Sequence, residues 1–290
     1  MKSIIRLLRI KQWVKNLFLF VPTFFAGNLF NNTELKLLFA GVFAFSLVAS
    51  GVYVINDYRD RHIDRLHPRK KLRPIASGEV KEGTARILMF LLITAGLTLS
   101  YFININFFYL VLGYFILNLG YSLGLKNIAI LDLFIVAFGF LIRIYSGGII
   151  VDVPITDWLA VMILLLALFL VTAKRRDDLV IRKENGEDAV RKASKSYNLE
   201  FINSCLTLLS AVIIVAYLMY TVSPAVVERF ESTHLFVTAI FVIAGIMRYL
   251  QITFVEQDSG SPTSILYRDK FILITILCWI VSFYLIIYAI

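Results

Sequence analysis

The stretch from Asn56 to Gly78 reads N-D-Y-R-D-R-H-I-D-R-L-H-P-R-K-K-L-R-P-I-A-S-G and follows a long apolar run. Asn56, Asp57, Asp60 and Asp64 stand at helical spacings, so a helix continuing out of the apolar run projects their oxygens from one face. Carboxylates grouped this way repel one another unless a cation lies among them. An all-oxygen set suits a hard divalent ion such as Mg2+, which keeps several waters and takes the rest of its shell from phosphate oxygens. Lys70, Lys71 and Arg73 follow within reach and supply the second half of a phosphate site. The competing expectation is a solvated loop of mixed charge at a membrane surface.

Composition sets the class around this stretch. Of 290 residues, 59% are hydrophobic and only 17% charged, and the mean hydropathy is +0.79, outside the range of a soluble globular domain. The chain is therefore expected to be an all-α, polytopic membrane protein: apolar runs approach the roughly 20 residues a spanning helix needs, and strand-type alternation is absent. A soluble nucleic-acid binder is excluded by the same composition despite the net charge of +9. Cys205 and Cys278 lie inside apolar runs without metal-ligand spacing and imply no disulfide framework.

Taken in order, Lys2, Arg6, Arg9, Lys11 and Lys15 precede the first apolar segment, and with no small-residue cleavage site this start is expected to be retained. Nine spans are predicted: about Leu17–Phe30, Leu37–Ile55, Ala85–Ile103, Phe107–Leu123, Ile128–Val151, Trp158–Ala173, Phe201–Val222, Leu235–Phe254 and Phe271–Ala289. They form one integral-membrane domain over residues 1–290, with charged loops at about 56–82, 174–200 and 256–270. Nearly all extramembrane Lys and Arg fall before Leu17, in those loops and at Lys126, whereas the opposite loops hold Arg229 alone. The amino terminus and charged loops are therefore expected to face the cytoplasm, with the carboxyl terminus across the plasma membrane.

Two ionisable residues lie inside the fifth span. Asp132 and Arg143 share a helical face but are separated by about 16 Å of helix, too far for a direct pair. Intramembrane charges are costly and usually face a polar cavity. Arg143 is accordingly expected to line a substrate cavity or to join helices structurally.

These residues carry a resemblance. N-D-x-x-D-x-x-x-D at Asn56–Asp64, followed by H-P-x-K-x-x-R-P-I-A-S-G at His67–Gly78, resembles the first aspartate-rich motif of the UbiA superfamily of intramembrane prenyltransferases. K-Q-W-V-K-N at Lys11–Asn16 and K-R-R-D-D-L at Lys174–Leu179, with Arg191 and Tyr197 downstream, are similar to its decaprenyl-phosphate phosphoribosyltransferase branch, as is S-P-T-S-I-L-Y-R-D-K at Ser261–Lys270. The resemblance implies a nine-helix bundle and a cavity open to the cytoplasm. It also implies Mg2+-dependent transfer of phosphoribose from phosphoribosyl diphosphate to a polyprenyl phosphate, in cell-envelope biosynthesis.

The residues favour this over transfer of a prenyl group to an aromatic acceptor in one respect. The second charged loop opens on Lys174-Arg175-Arg176 and places Asp177 beside Asp178; only Glu184 with Asp188 keeps a D-x-x-x-D-like spacing. Two phosphorylated substrates call for fixed cations, and guanidinium groups bind phosphate oxygens through paired donors. Asp57, Asp60 and Asp64 are thus the expected metal and catalytic set, oriented by Asn56. Lys70, Arg73, Lys174, Arg175 and Arg191 are expected on the phosphates. Lys126 and Asp132 are further substrate-binding candidates. Lys15 and Asn16 are expected on substrate, Lys15 with Lys11 and Trp13 being equally suited to anchor at the interface, and Tyr197 and Asp269 rest on the resemblance, Asp269 being equally suited to cap the last helix. A transporter would want charges near the midplane in two related halves, and only Arg143 answers to that. The oligomeric state is left open, a homo-oligomer included.

Overall fold

The computed structural model describes residues 2–26, 32–66, 70–185, 196–256, 265 and 268–288. They group into two compact units, one within Met1–Ile155 and one within Thr156–Glu184 and Ser194–Ile290. Among the described residues eight helices are long and apolar enough to cross a membrane, so the chain is a multi-pass membrane protein.

In the first unit, α1 (Lys2–Leu8) leads into a 3-10 helix (Ile10–Phe20) and α2 (Val21–Ala26). The first predicted span, Leu17–Phe30, is thus not one α-helix, and its last residues lie outside those described. α3 (Asn32–Leu66) follows, then α4 (Glu82–Ile103), α5 (Ile105–Leu123) and α6 (Leu131–Ile150). At 35 residues α3 is about 52 Å long, roughly 20 Å more than a bilayer core needs. The excess is its carboxyl-terminal end, where Asn56 to Asp64 emerge on unbroken helix, as their spacing predicts. α3 and α6 are the inner helices, with 67% and 56% of their apolar windows covered, whereas α4 and α5 turn most of their apolar surface outward. That asymmetry suits lipid as the outer solvent.

Two apolar clusters hold this unit. Leu19, Leu38, Phe45, Val48, Phe107, Val111, Tyr114 and Ile150 fill its middle, while Leu7, Val54, Ile75, Val80, Ala85 and Leu92 close the end that carries the acids. Leu7 draws α1 across that end, and Ser3 and Arg6 bind Glu79. Close approach of backbones depends on two glycines. A Cβ on Gly96 would meet Val48 Cγ2 at 2.6 Å and the Ala44 carbonyl oxygen at 2.8 Å, and one on Gly147 would lie 2.0 Å from the Leu19 carbonyl oxygen. The 3-10 helix therefore rests directly on α6.

The second unit contains α7 (Asp157–Asn185), α8 (Leu199–Thr221), α9 (Pro224–Phe230), a 3-10 turn (His234–Thr238), α10 (Ala239–Phe254) and α11 (Lys270–Tyr288). Phe169 packs on Tyr249 with ring centroids 5.1 Å apart. Trp279 donates to the Tyr217 hydroxyl at 2.7 Å, and that hydroxyl shares a 2.6 Å hydrogen bond with Thr238 Oγ1. The chain satisfies polar groups that lipid cannot.

Gly147→Ala is expected to destabilise the protein by about 1–3 kcal/mol, because a backbone carbonyl rather than a flexible side chain must yield. A thermal melt in detergent, with Gly113→Ala at a position with open space as the control, reads the difference.

Candidate active site

At the end of α3 the acids are not apart in water but held by cations. Asp57 and Asp64 are 2% and 3% exposed. Arg73 Nη1 donates to Asp57 Oδ1 at 3.0 Å and to Asp64 Oδ2 at 2.7 Å, so one guanidinium nitrogen serves both carboxylates. The same Asp57 oxygen also accepts from Arg9. Asp60 binds Lys126, whose ammonium also donates to Asn56 Oδ1 at 3.3 Å. Three carboxylates meet three cations, and the formal charges cancel.

Local folding fixes these cations. Arg73 opens a tight turn in which Ser77 N–H donates to the Arg73 carbonyl at 2.8 Å, Val80 N–H donates to the Pro74 carbonyl at 2.9 Å, and Gly78 takes φ 80°. Ile75, 2% exposed, plugs this turn into the core beside Leu7 and Val54. Lys70 sits on the 3-10 turn just before it, its carbonyl accepting from Arg73 N–H at 2.9 Å. Lys126 lies in the short 3-10 turn Leu125–Asn127 between α5 and α6. Past it, Ile130 has φ 69° and ψ −51°, with Leu131 N–H donating to the Ala129 carbonyl at 2.8 Å. That is a γ-turn of the rare positive-φ kind, on a β-branched residue, costing about 1–3 kcal/mol. It begins α6 two residues before Asp132, which is fully buried in the first turn, where the helix dipole favours a negative charge.

Arg9 is the residue sequence reasoning missed. It joins α1 to the 3-10 helix in the left-handed region, φ 52° and ψ 45°, and its guanidinium lies 4.9 Å from the centroid of the Tyr53 ring. Nothing local marks it: its partner is 48 residues away, and the basic start of the chain reads as ordinary interfacial charge.

Asn16 and Arg143 meet each other. Arg143 Nε donates to Asn16 Oδ1 at 2.8 Å, Nη1 to the Gly139 carbonyl at 2.6 Å and Nη2 to the Tyr114 hydroxyl at 3.1 Å, while Asn16 Nδ2 donates to Ser46 Oγ at 2.8 Å. The rings of Phe45 and Tyr114 cover the guanidinium. These bonds tie the 3-10 helix, α3, α5 and α6 together through Arg143. Lys15 beside them has no acidic partner among the described residues. Burial first, then the positive charges of Arg143 and Arg9, push its ammonium down to about 8.

The second unit holds the other expected residues. Lys174 is exposed, whereas Arg175 is 3% exposed and donates to Asp178 Oδ2 at 2.9 Å. Arg176 is 7% exposed; its Nε donates to Asn203 Oδ1 at 3.0 Å, but Nη1 has no hydrogen-bond partner among the described residues. The K-R-R-D-D-L stretch drew attention to its neighbours, and the orphaned nitrogen singles out Arg176 instead. Tyr197 is buried and stacks on Phe201 at 6.0 Å. Asp269 caps α11, accepting from Ile272 N–H at 2.9 Å, and binds Arg248 Nη2 at 2.8 Å. The Arg248 bonds, followed by the Ile272 N–H, hold its carboxyl below the usual range. Arg191 and the Glu184–Asp188 spacing fall outside the side chains described.

Among the described residues no three carboxylates, histidines or cysteines converge as a metal-ion group. The expected set of Asp57, Asp60 and Asp64 is bridged by basic side chains instead, because buried carboxylates require counter-charge. The donor set still fits a hard ion in kind: every ligand atom is oxygen, and two of the acids already share one cationic atom.

Buried acids and cations thus stand together at the end of a spanning helix in a multi-pass membrane protein whose described residues form helices and no strands. The same fold occurs in a UbiA homolog from Archaeoglobus fulgidus solved bound to GPP and Mg2+, with a TM-score of 0.75 and 23% identity over 98% of this chain and 99% of that one. The model of the UbiA prenyltransferase family matches residues 17–179. Decaprenyl-phosphate phosphoribosyltransferases of Mycolicibacterium smegmatis and Mycobacterium tuberculosis are 32% and 29% identical, covering 96% and 97% of this chain and 90% and 92% of theirs. The chain belongs to the UbiA prenyltransferase family.

Two outcomes are expected. Arg73→Ala removes the one cation paired with Asp64 among the described residues and should cost about 3–5 kcal/mol, most of it recovered by adding Asp64→Asn; paired thermal melts check this. Lys15 binds fewer protons folded than unfolded between pH 8 and 10.5, so its burial penalty is full below pH 8 and fades as pH rises. Lys15→Met should melt higher than the wild type at pH 7.5, with the gap closing toward pH 10.

Proposed function

We propose that the protein transfers a 5-phosphoribosyl group from phosphoribosyl diphosphate to the phosphate of a long polyprenyl lipid, releasing diphosphate, with Mg2+ as cofactor. The observation that carries this is the cationic character of K-R-R-D-D-L. Where a prenyltransferase of this family needs a second carboxylate pair for a prenyl diphosphate, the chain offers buried Arg175 and Arg176, and Arg176 Nη1 is unmatched among the described residues. The names of the mycobacterial relatives point the same way.

In this proposal Asp57, Asp60 and Asp64 hold the metal, and Asn56 keeps Lys126 in register with Asp60. Mg2+, when bound, neutralises charge that builds on the leaving diphosphate. Arg9, Arg73 and Lys126 turn their donors to the phosphate oxygens of the donor, with Lys70 close by. Lys174, Arg175 and Arg176 are assigned to phosphate in the second unit, and Arg191 and Tyr197 follow by the resemblance. Lys15, short of a counter-charge, suits an anionic substrate group. The ribose C1–O bond to diphosphate breaks as a C1–O bond to the lipid phosphate forms. That phosphate is already ionised, so no side chain has to act as a strong general base. The Lys and Arg asymmetry of the loops supports placing this chemistry on the cytoplasmic side of the plasma membrane.

Membranes containing the protein, given labelled phosphoribosyl diphosphate and polyprenyl phosphate, are expected to form a labelled lipid. Asp60→Asn and Asp64→Asn should each lower the rate about a hundredfold or more. Wild-type rates in both variants would remove the metal role from these acids, and a label that never enters lipid would sink the phosphoribosyl assignment.

A further inference from the structure

Arg9 and Arg73 bind the same oxygen of Asp57, yet they are held very differently. Arg73 is locked: its nitrogen also serves Asp64, and the Ile75 turn anchors its backbone. Among the described residues Arg9 makes one ion pair, to Asp57, and its side chain is 24% exposed. Its backbone takes a left-handed conformation at the joint between α1 and the 3-10 helix, where a change of dihedral moves the side chain without unwinding either element. The guanidinium already lies over the Tyr53 ring while it binds Asp57, an aromatic contact that does not depend on the carboxylate.

From this geometry we infer that Arg9 is an exchange residue: its guanidinium neutralises Asp57 until a divalent cation takes that oxygen, and is then released to bind the diphosphate of the sugar donor. The inference rests on the metal role proposed for the acids and adds the order of events. Charge counting supports it. Asp57, Asp60 and Asp64 are balanced by Arg9, Arg73 and Lys126 as the cluster stands. A divalent cation therefore enters a neutral site and must displace a basic side chain to reach Asp57 Oδ1, the oxygen that Arg9 and Arg73 share. The displaced cation and the metal together leave an excess of positive charge that only a polyanion satisfies. Arg9 thus opposes metal binding alone and promotes metal binding with diphosphate, and by linkage it couples the two reciprocally.

The opposite signs separate exchange from a structural role. Full-length protein in detergent is titrated with Mn2+, followed by its electron paramagnetic resonance signal, with and without inorganic diphosphate. Arg9→Gln is expected to bind Mn2+ alone about five- to tenfold more tightly than the wild type and, at saturating Mn2+, to bind diphosphate about tenfold more weakly. Arg9→Lys, which keeps the charge, should fall between the two on both measures. Weakened or unchanged Mn2+ affinity in Arg9→Gln overturns the exchange role. If the wild type binds no Mn2+ even with diphosphate present, or if Asp60→Asn with Asp64→Asn binds it as the wild type does, the metal assignment itself fails and the exchange role with it.

Discussion

Every arrangement in the first unit answers to one constraint: carboxylates withdrawn from water at the end of a spanning helix need positive charge within hydrogen-bonding distance. Asp57 and Asp64 are too buried for solvent to screen them, and their mutual repulsion adds to the cost of desolvation. Arg9, Arg73 and Lys126 meet that need from three separate parts of the chain. α1 folds over the end of α3, the turn after α3 doubles back, and the α5–α6 connection reaches across. The strained turn at Ile130 belongs to that last connection, and its cost is carried by the packing around it.

Arg143 applies the same rule deeper in the bundle with a different solution. It has a carbonyl, an amide oxygen and a hydroxyl as partners, and aromatic faces above it. No carboxylate is among those partners, so a full positive charge remains in the interior. Gly147, by letting the 3-10 helix lie against α6, brings Asn16 within reach of it. Packing and electrostatics are inseparable here: the same close approach that completes the apolar core also delivers the amide that satisfies the guanidinium.

Helical spans were legible in the chain because lipid permits only segments that satisfy their own backbone, and apolar length marks them directly. The continuation of α3 through Asp64 was legible because no Gly or Pro lies between Gly51 and Pro68 and the acids keep one face. Arg73 was legible as a basic residue following the acids, and the K-R-R-D-D-L stretch through its basic residues and the family resemblance. The 3-10 helix was not visible, since its polar and apolar residues read equally well as an interfacial approach to a short span. Arg9 and the Asn16–Arg143 pair were hidden for a simpler reason: sequence spacing reports neighbours within a few turns, and these partners are 48 and 127 residues apart.

By itself, then, the sequence determined the lipid solvent and the long helical spans from α3 onward, because hydropathy and helical period are local properties. Only the tertiary structure decided which cation stands against which acid, that Asp269 is a cap bound to Arg248, and that Arg143 is a strut between helices. Those pairings depend on distances set by backbone contact between elements far apart in the chain, and local pattern carries no record of them.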